Sequence, residues 1–348
     1  MRISADEIAR FSATVDSLRM AVRIPGLSVA VVADGRVVLG RGFGYADVEA
    51  RRPMTEHTPL PIASVTKPVS AVVAMRLVEM GKLDLDRRMS TYDGFAEFCT
   101  DVRQGGGIFF HDYHCDSQPL TLRHVLSMQA NGDVGTRFFY NPASYSWASR
   151  PMAQVAGTPF SDLVAEYVFG PAGMTRSARI HRRLPLRPDL AADKAQPYHV
   201  DSTGALVRSP EPPPQGDGAA GGVVSTASDM ARFDIALDDG RLVSEASREA
   251  MWTPGRGPSG AGLPYGLGWF AKDVAGHRVV WHTGLWEGAY SALYLKVPDE
   301  HVTLILLANS DGLQWSTRLD EAAIERSPFA RAFLTSLGGF GVSALPRR

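Results

Sequence analysis

Residues 61–68 read Pro61-Ile62-Ala63-Ser64-Val65-Thr66-Lys67-Pro68 and lead into an apolar stretch, Val69, Val72, Val73, Met75, Leu77 and Val78, that stops at Gly81. That spacing predicts a helix over 64–81. Pro68 fixes where it starts, because proline is tolerated only in a first turn, where N–H groups have no intrahelical partner. Ser64 then sits at the helix N-terminus, where the positive end of the dipole favours an alkoxide or oxyanion. Ser64 and Lys67, at i and i+3, share one face with Cβ atoms about 5–6 Å apart. A serine hydroxyl needs a base, and a lysine serves if burial lowers its pKa. Arginine could not, since it stays protonated. About one S-x-x-K is expected by chance in a chain of this length. Ser64–Lys67 is the single occurrence here, and only five of the 36 basic residues are lysine.

Outward from this helix the pattern is strands at both chain ends with helices between. Upstream, residues 5–22 carry Ile8, Phe11, Val15, Leu18 and Val22 on one helical face. Leu27–Ala33 and Val37–Tyr45 flank an Asp34-Gly35 turn and predict a hairpin. Downstream, residues 82–120 read as irregular. Helical patterns return at 122–128, 144–156, 161–168, 226–236 and 245–251, and a proline-rich loop spans 209–216. Four strand candidates follow, at 266–271, 277–281, 290–297 and 302–308, then a helix at 317–336. Two N-terminal and several C-terminal strands can pair into one antiparallel sheet. The expected fold class is therefore α+β. It is a single catalytic domain with a sheet lobe of about 1–60 and 215–348 and an inserted, mostly helical lobe of about 61–214. A cleft between lobes is a natural place for a site.

Composition removes several function classes. Of the 348 residues, 45% are hydrophobic, which excludes a disordered chain. Lys+Arg is 36 and Asp+Glu 37, so no charge excess points to nucleic acid or an anionic membrane. No apolar run approaches the ~20 residues of a membrane span. The N-terminal residues Met1-Arg2-Ile3-Ser4-Ala5-Asp6-Glu7 contain no apolar leader, so the expected location is cytoplasmic. Two cysteines, Cys99 and Cys115, are too few for a disulfide scaffold. With His111, Asp112 and His114 they supply metal-ligand types, but their spacing matches no zinc motif. A bond between them is disfavoured in a reducing compartment. No metal or organic cofactor is expected.

Two further stretches carry chemistry. Phe139-Tyr140-Asn141-Pro142 precedes a helix, and a tyrosine beside a lysine can share its proton and act as general base. His282-Thr283-Gly284 follows Val279-Val280-Trp281. A strand edge ending in Thr-Gly can present backbone N–H groups to an acyl oxygen, and His282 can donate to a substrate anion or to the tyrosine.

In this order and spacing the three stretches make the chain resemble the serine β-lactamase and penicillin-binding-protein superfamily. It is most similar to the class C β-lactamase-like branch, which holds DD-peptidases and family VIII carboxylesterases. The resemblance spans about residues 10–335. It also includes Leu77–Asp86, Leu120–Leu126, Gly221–Met230 and Tyr265-Gly266-Leu267-Gly268-Trp269. It implies that Ser64 is the acylated nucleophile, that Lys67 and Tyr140 handle its proton, and that the N–H groups of Ser64 and Leu285 form the oxyanion hole. His282-Thr283-Gly284 stands where other members carry Lys-Thr-Gly, and these residues with Asn141 would contact substrate. The asparagine usual two residues after the tyrosine is here Pro142, and the loop from Met128 to Tyr140 is short for this branch.

The expected activity is a serine acyl hydrolase acting through an acyl-enzyme on a small-molecule ester, amide or lactam, with a carboxylesterase favoured. Alternatives are a β-lactamase or DD-peptidase, acyl transfer to a small alcohol, and a non-catalytic binding protein. The sequence does not indicate the oligomeric state.

Overall fold

The computed structural model describes residues 3–115, 119–314 and 321–340, and in it the two ends of the chain meet in one sheet. Helix α1 (Ala5–Ala21) starts on a capping box in which the Ser4 side chain accepts from Glu7 N–H and the Glu7 carboxylate accepts from Ser4 N–H. Strands β1 (Gly26–Ala33), β2 (Arg36–Asp47) and β3 (Arg52–Pro53) follow, then the short β4 (Leu60–Pro61). A 3-10 turn, Ala63–Val65, leads into α2 (Thr66–Glu79). The middle of the chain holds α3 (Phe95–Gly105), α4 (Leu122–Leu126), α5 (Pro142–Trp147), α6 (Ser149–Ala156), α7 (Phe160–Val164), a π turn over 165–169 and α8 (Gly170–Ala172). Next come β5 (Ala178–Arg179), α9 (Pro188–Asp193), the hairpin β6 (Tyr198–Val200) and β7 (Leu206–Arg208), β8 (Val223–Ser225), α10 (Ala227–Asp238) and α11 (Glu245–Trp252). Strands β9 (Phe270–Val274), β10 (His277–Trp286), β11 (Tyr290–Val297) and β12 (Val302–Ala308) precede α12 (Pro328–Ser336).

The main sheet has the order β3-β2-β1-β12-β11-β10-β9, and all its pairs are antiparallel. The join between chain ends runs from Leu27 opposite Ala308 to Ala33 opposite Val302. Every residue of β1, β11 and β12 is buried, as near-continuous apolar runs require when both faces of a sheet are covered. Helix α10 packs on β1, β2 and β12, and α1 meets α12 through Phe11 and Phe333. A small sheet, β4-β8-β5, lies beside the Ser64 turn. The α+β class with a sheet of N- and C-terminal strands is as expected. Among the described residues no helix is long and apolar enough to cross a membrane.

Several boundaries differ from the sequence reading. Residues 82–120 are not all irregular, since α3 buries Phe95, Cys99 and Val102, an i, i+4, i+7 stripe. The stretch 144–156 is two helices, because Pro151 is tolerated only in the first turn of a new one. The ninth strand begins at Phe270, not Gly266, because Gly268 turns the chain at φ +78°. The tenth runs through Trp286, so His282-Thr283-Gly284 lies within a strand rather than at its end. The last helix starts at Pro328, and residues 317–320 of the expected helix lie outside the described residues. Cys99 and Cys115 are bonded to each other, contrary to the expectation for a reducing compartment. Their Cα atoms, on α3 and the following loop, are 5.8 Å apart, within the range a disulfide spans.

Candidate active site

Ser64 sits half-buried in the 3-10 turn, just before α2 rather than in it. Ala63, the residue before it, is held at φ +46°, a conformation costly for a residue with a Cβ. One turn on, Lys67 is fully buried. Its Nζ donates to Ser64 Oγ at 2.8 Å and to the Ala220 carbonyl oxygen at 3.1 Å. Two aromatic faces complete its surroundings, Tyr140 at 5.1 Å and Tyr145 at 5.5 Å from Nζ to ring centroid. Among the described residues no carboxylate pairs with it. Burial therefore pushes the ammonium well below its usual range. Tyr145 also holds the backbone beneath, its hydroxyl donating to the Lys67 carbonyl at 3.1 Å.

Tyr140 precedes α5 and stacks on Phe270 with centroids 6.2 Å apart. Among the described residues its buried hydroxyl has no hydrogen-bond partner. Burial raises its pKa, and Ser64 is the neighbour that pulls the other way. A polar atom left open beside a serine–lysine pair is one that an entering group can satisfy.

Asn141 does not face this space. It caps α5 by accepting from Ser144 N–H at 2.8 Å, and its amide donates to the Phe109 carbonyl and to Asn131 Oδ1. Its expected contact with substrate is therefore not seen: it does not line the cleft, and both amide hydrogens and the oxygen already have internal partners. Pro142, by contrast, lines the cleft and offers no donor.

The opposite wall comes from β10. Strand β9 pairs with β10 only as far as Trp281, so residues 282–286 have β11 on one side and the Ser64 turn on the other. The approach depends on Gly284, where a Cβ would lie 2.2 Å from the Ile62 carbonyl oxygen. Leu285 thereby reaches the same cleft as Ser64. The expectation for His282 is corrected. It is fully buried, does not line the cleft, and does not bond Tyr140. Its Nδ1 is 2.7 Å from the Thr283 carbonyl oxygen, an acceptor, which places the proton on Nδ1. Tyr265 then donates to Nε2 at 2.8 Å. Burial holds the imidazole well below its ordinary pKa and so neutral. Thr283 is buried and also absent from the cleft lining.

Ala220, which receives Lys67, belongs to a loop that sequence reasoning did not connect with the site. Arg179, buried on β5, holds that loop. Its guanidinium donates to Asp217 at 3.0 Å, to the Gly218 carbonyl at 2.9 Å and to the Gly221 carbonyl. The adjacent Ala219 carbonyl accepts from Ser70 on α2 at 2.7 Å. The resulting cleft measures about 560 Å³, and Phe109, Ser146, Arg182, Gln215 and Trp286 also line it. A backbone carbonyl carries no side-chain signature, so only the Gly221-Gly222 dipeptide hinted at a close approach. Tyr265 was visible in the Tyr-Gly-Leu-Gly-Trp stretch without its partner.

The family model described as Beta-lactamase matches residues 11–327. The chain is 27% identical over 314 residues to Penicillin-binding protein 4* of Bacillus subtilis, covering 82% of this chain and 68% of that protein. It is 26% identical over 330 residues to the D-aminopeptidase of Brucella ovis, covering 88% of this chain. It spans only 60% of the length of that D-aminopeptidase. Among solved structures, the octameric penicillin-binding protein homologue from Pyrococcus abyssi shares the fold, with TM-score 0.76, 24% identity, and coverage of 97% of this chain and 79% of that one. EstCE1, a hydrolase with promiscuous acyltransferase activity, shares it too, with TM-score 0.73, 18% identity, and coverage of 94% and 98%.

Proposed function

From the premise that this chain belongs to the beta-lactamase family, within the serine β-lactamase and penicillin-binding-protein superfamily, we propose that it is a serine acyl hydrolase whose preferred substrates are simple carboxylic esters. One observation carries the chemistry: Lys67 Nζ is 2.8 Å from Ser64 Oγ in a site where the lysine is buried and has no carboxylate. An unpaired buried ammonium is costly, so the amine is neutral at working pH. The contact then runs in reverse, with Ser64 O–H donating to the Nζ lone pair. Ser64 Oγ attacks the carbonyl carbon while its proton passes to Lys67. The backbone N–H groups of Ser64 and Leu285 take the charge on the carbonyl oxygen. Tyr140 relays the proton to the leaving oxygen, the alcohol departs, and an acyl-enzyme remains. A water molecule, giving its proton to the same pair, attacks the acyl carbon and frees the acid and Ser64.

Two features support esters over lactams and amines. His282, buried and neutral, supplies no charge for the carboxylate of a penicillin. Among the described residues lining the cleft there is no Asp or Glu to hold an α-ammonium, while Arg182 is there to repel one. The test is kcat/KM for p-nitrophenyl butyrate, nitrocefin and a D-amino-acid p-nitroanilide on one preparation, with Ser64→Ala as control. The ester is expected to be turned over best. A higher value for nitrocefin or for the anilide overturns the substrate assignment.

A further inference from the structure

A second chamber of about 450 Å³ opens beside the catalytic cleft and shares Arg182, Gln215 and Trp286 with it. Its walls are apolar: Ile180, Leu184, Leu186, Pro213, Val223 and Trp286. Two irregular segments form much of them, beside Val223 of β8 and Trp286 of β10. One is the turn closed by the His181–Leu184 bridge, and the other is the proline run Pro212-Pro213-Pro214. The Arg182 N–H donates to the Gln215 carbonyl at 2.8 Å and ties the two together. Prolines have no N–H, so this wall presents few donors. Of the charged groups that line it, Lys194 and Glu211 are paired with each other and with Tyr290, while Arg182 and Arg183 stand on the His181–Leu184 turn. Leu184 nevertheless remains 38% exposed, an apolar side chain facing solvent where a ligand would cover it. The volume falls in the range of about 300–1,000 Å³ that holds small organic ligands.

The side of the reaction this chamber serves follows from where Tyr140 lies. Tyr140, Phe109 and Pro142 line the cleft but not the chamber. The leaving oxygen must come within reach of Tyr140 to be protonated, so the leaving group occupies that wall and the acyl arm points the other way. We propose that the chamber beyond Trp286 is the acyl-arm site and that it takes an unbranched apolar acyl chain longer than acetyl. This rests on the acyl-hydrolase reading above. Hydrolysis then splits each ester so that the apolar acid is held last, on Ser64, and the small alcohol leaves first.

The test sets two ester series against each other on the full chain. In one, acetate, butyrate, hexanoate and octanoate share p-nitrophenol as leaving group. In the other, ethyl, butyl and octyl alcohols share acetate. In the acyl series kcat/KM is expected to rise about fourfold per buried methylene, by at least ~10²-fold from acetate to octanoate. In the alcohol series it is expected to change less than about threefold. Leu184→Asp is expected to lower the octanoate-to-acetate ratio at least ~10-fold, and Leu184→Ala, a milder change, to lower it by a smaller factor. A flat acyl series, a preference that follows the alcohol, or a ratio unmoved in both variants overturns the proposal. Absence of any ester turnover together with absence of an acyl adduct on Ser64 in intact mass is a different result: it overturns the reading beneath, and the proposal falls with it.

Discussion

Lys67 and Lys296 are both buried, 0% and 2% exposed, yet the chain uses them in opposite ways. Lys296 on β11 donates to Asp234 at 3.0 Å, Asp238 at 2.6 Å and Thr303 at 3.1 Å. Tyr294 and Thr303 also donate to Asp234. Burial opposes the Lys296 charge, but the two carboxylates prevail and raise its pKa. Lys67 has a hydroxyl, a carbonyl and two aromatic faces, and burial acts on it without a carboxylate to answer. Burial thus sets the stakes for a lysine, and its partners decide whether it becomes a fixed cation or a base.

The largest effect expected from this contrast is in catalysis. On the proposed mechanism Lys67→Arg puts a permanent cation where the neutral amine stood and removes the base, so kcat per folded molecule should fall at least ~10³-fold. Lys296→Met should leave kcat per folded molecule intact and cost about 3–5 kcal/mol of stability, because the buried Asp234 and the half-buried Asp238 lose their cation. Urea melts read beside active-site titration separate the two. Near-normal kcat in Lys67→Arg breaks the comparison at one end, and an unchanged urea midpoint in Lys296→Met breaks it at the other.

Stability against pH sharpens it, because the signs differ. Lys67 has a folded pKa below the unfolded value of 10.5. Below pH 10.5 the unfolded chain binds a proton that the folded chain refuses, so the stability gained in Lys67→Met should be present at pH 7 and vanish as pH rises to 10.5. Lys296 has a folded pKa above 10.5, so its stabilisation is complete below that pH and is lost only as pH climbs through the folded value. Paired melts of wild type and each variant at pH 7 and pH 10 should show the Lys67→Met gain shrinking while the Lys296→Met loss holds.

Smaller effects concern what positions Lys67. Arg179→Lys keeps a charge beside Asp217 but cannot reach the Gly218 and Gly221 carbonyls together, so kcat/KM should drop on the order of 10-fold. The pH–rate profile should shift with it, as Ala220 moves away from Nζ. An unshifted profile would make Arg179 merely structural. Smallest is Asn141→Ala, which removes the cap of α5 and should cost about 1 kcal/mol of stability. Ester kcat/KM should stay within about threefold, and a larger loss would return Asn141 to the substrate.

Ser64, Lys67, Tyr140 and Leu285 were legible because the first two are local neighbours on one turn and the others lie in stretches of recognisable spacing. The sheet was legible because buried strands such as 27–33 and 302–308 are continuous apolar runs. What stayed hidden depends on contacts between distant segments. Ala220 meets Lys67 across 153 residues through a carbonyl that any residue possesses. His282 reads as a donor to substrate at a strand end, and only the strand's extension to Trp286 and the Tyr265 hydroxyl show it buried and neutral. Asn141 reads as a ligand to substrate, but the capping of α5 claims it first.

The most direct test of the central claim, that a neutral buried Lys67 activates Ser64, is the pH dependence of acylation. An alkyl fluorophosphonate is added across pH 5–11 and the adduct followed by intact mass, with Ser64→Ala as control. The account predicts one adduct, on Ser64, forming at a rate that rises with pH and levels off well below 10.5. An adduct that persists in Ser64→Ala, or a rate still climbing at pH 10.5 as for an ordinary lysine, would contradict it.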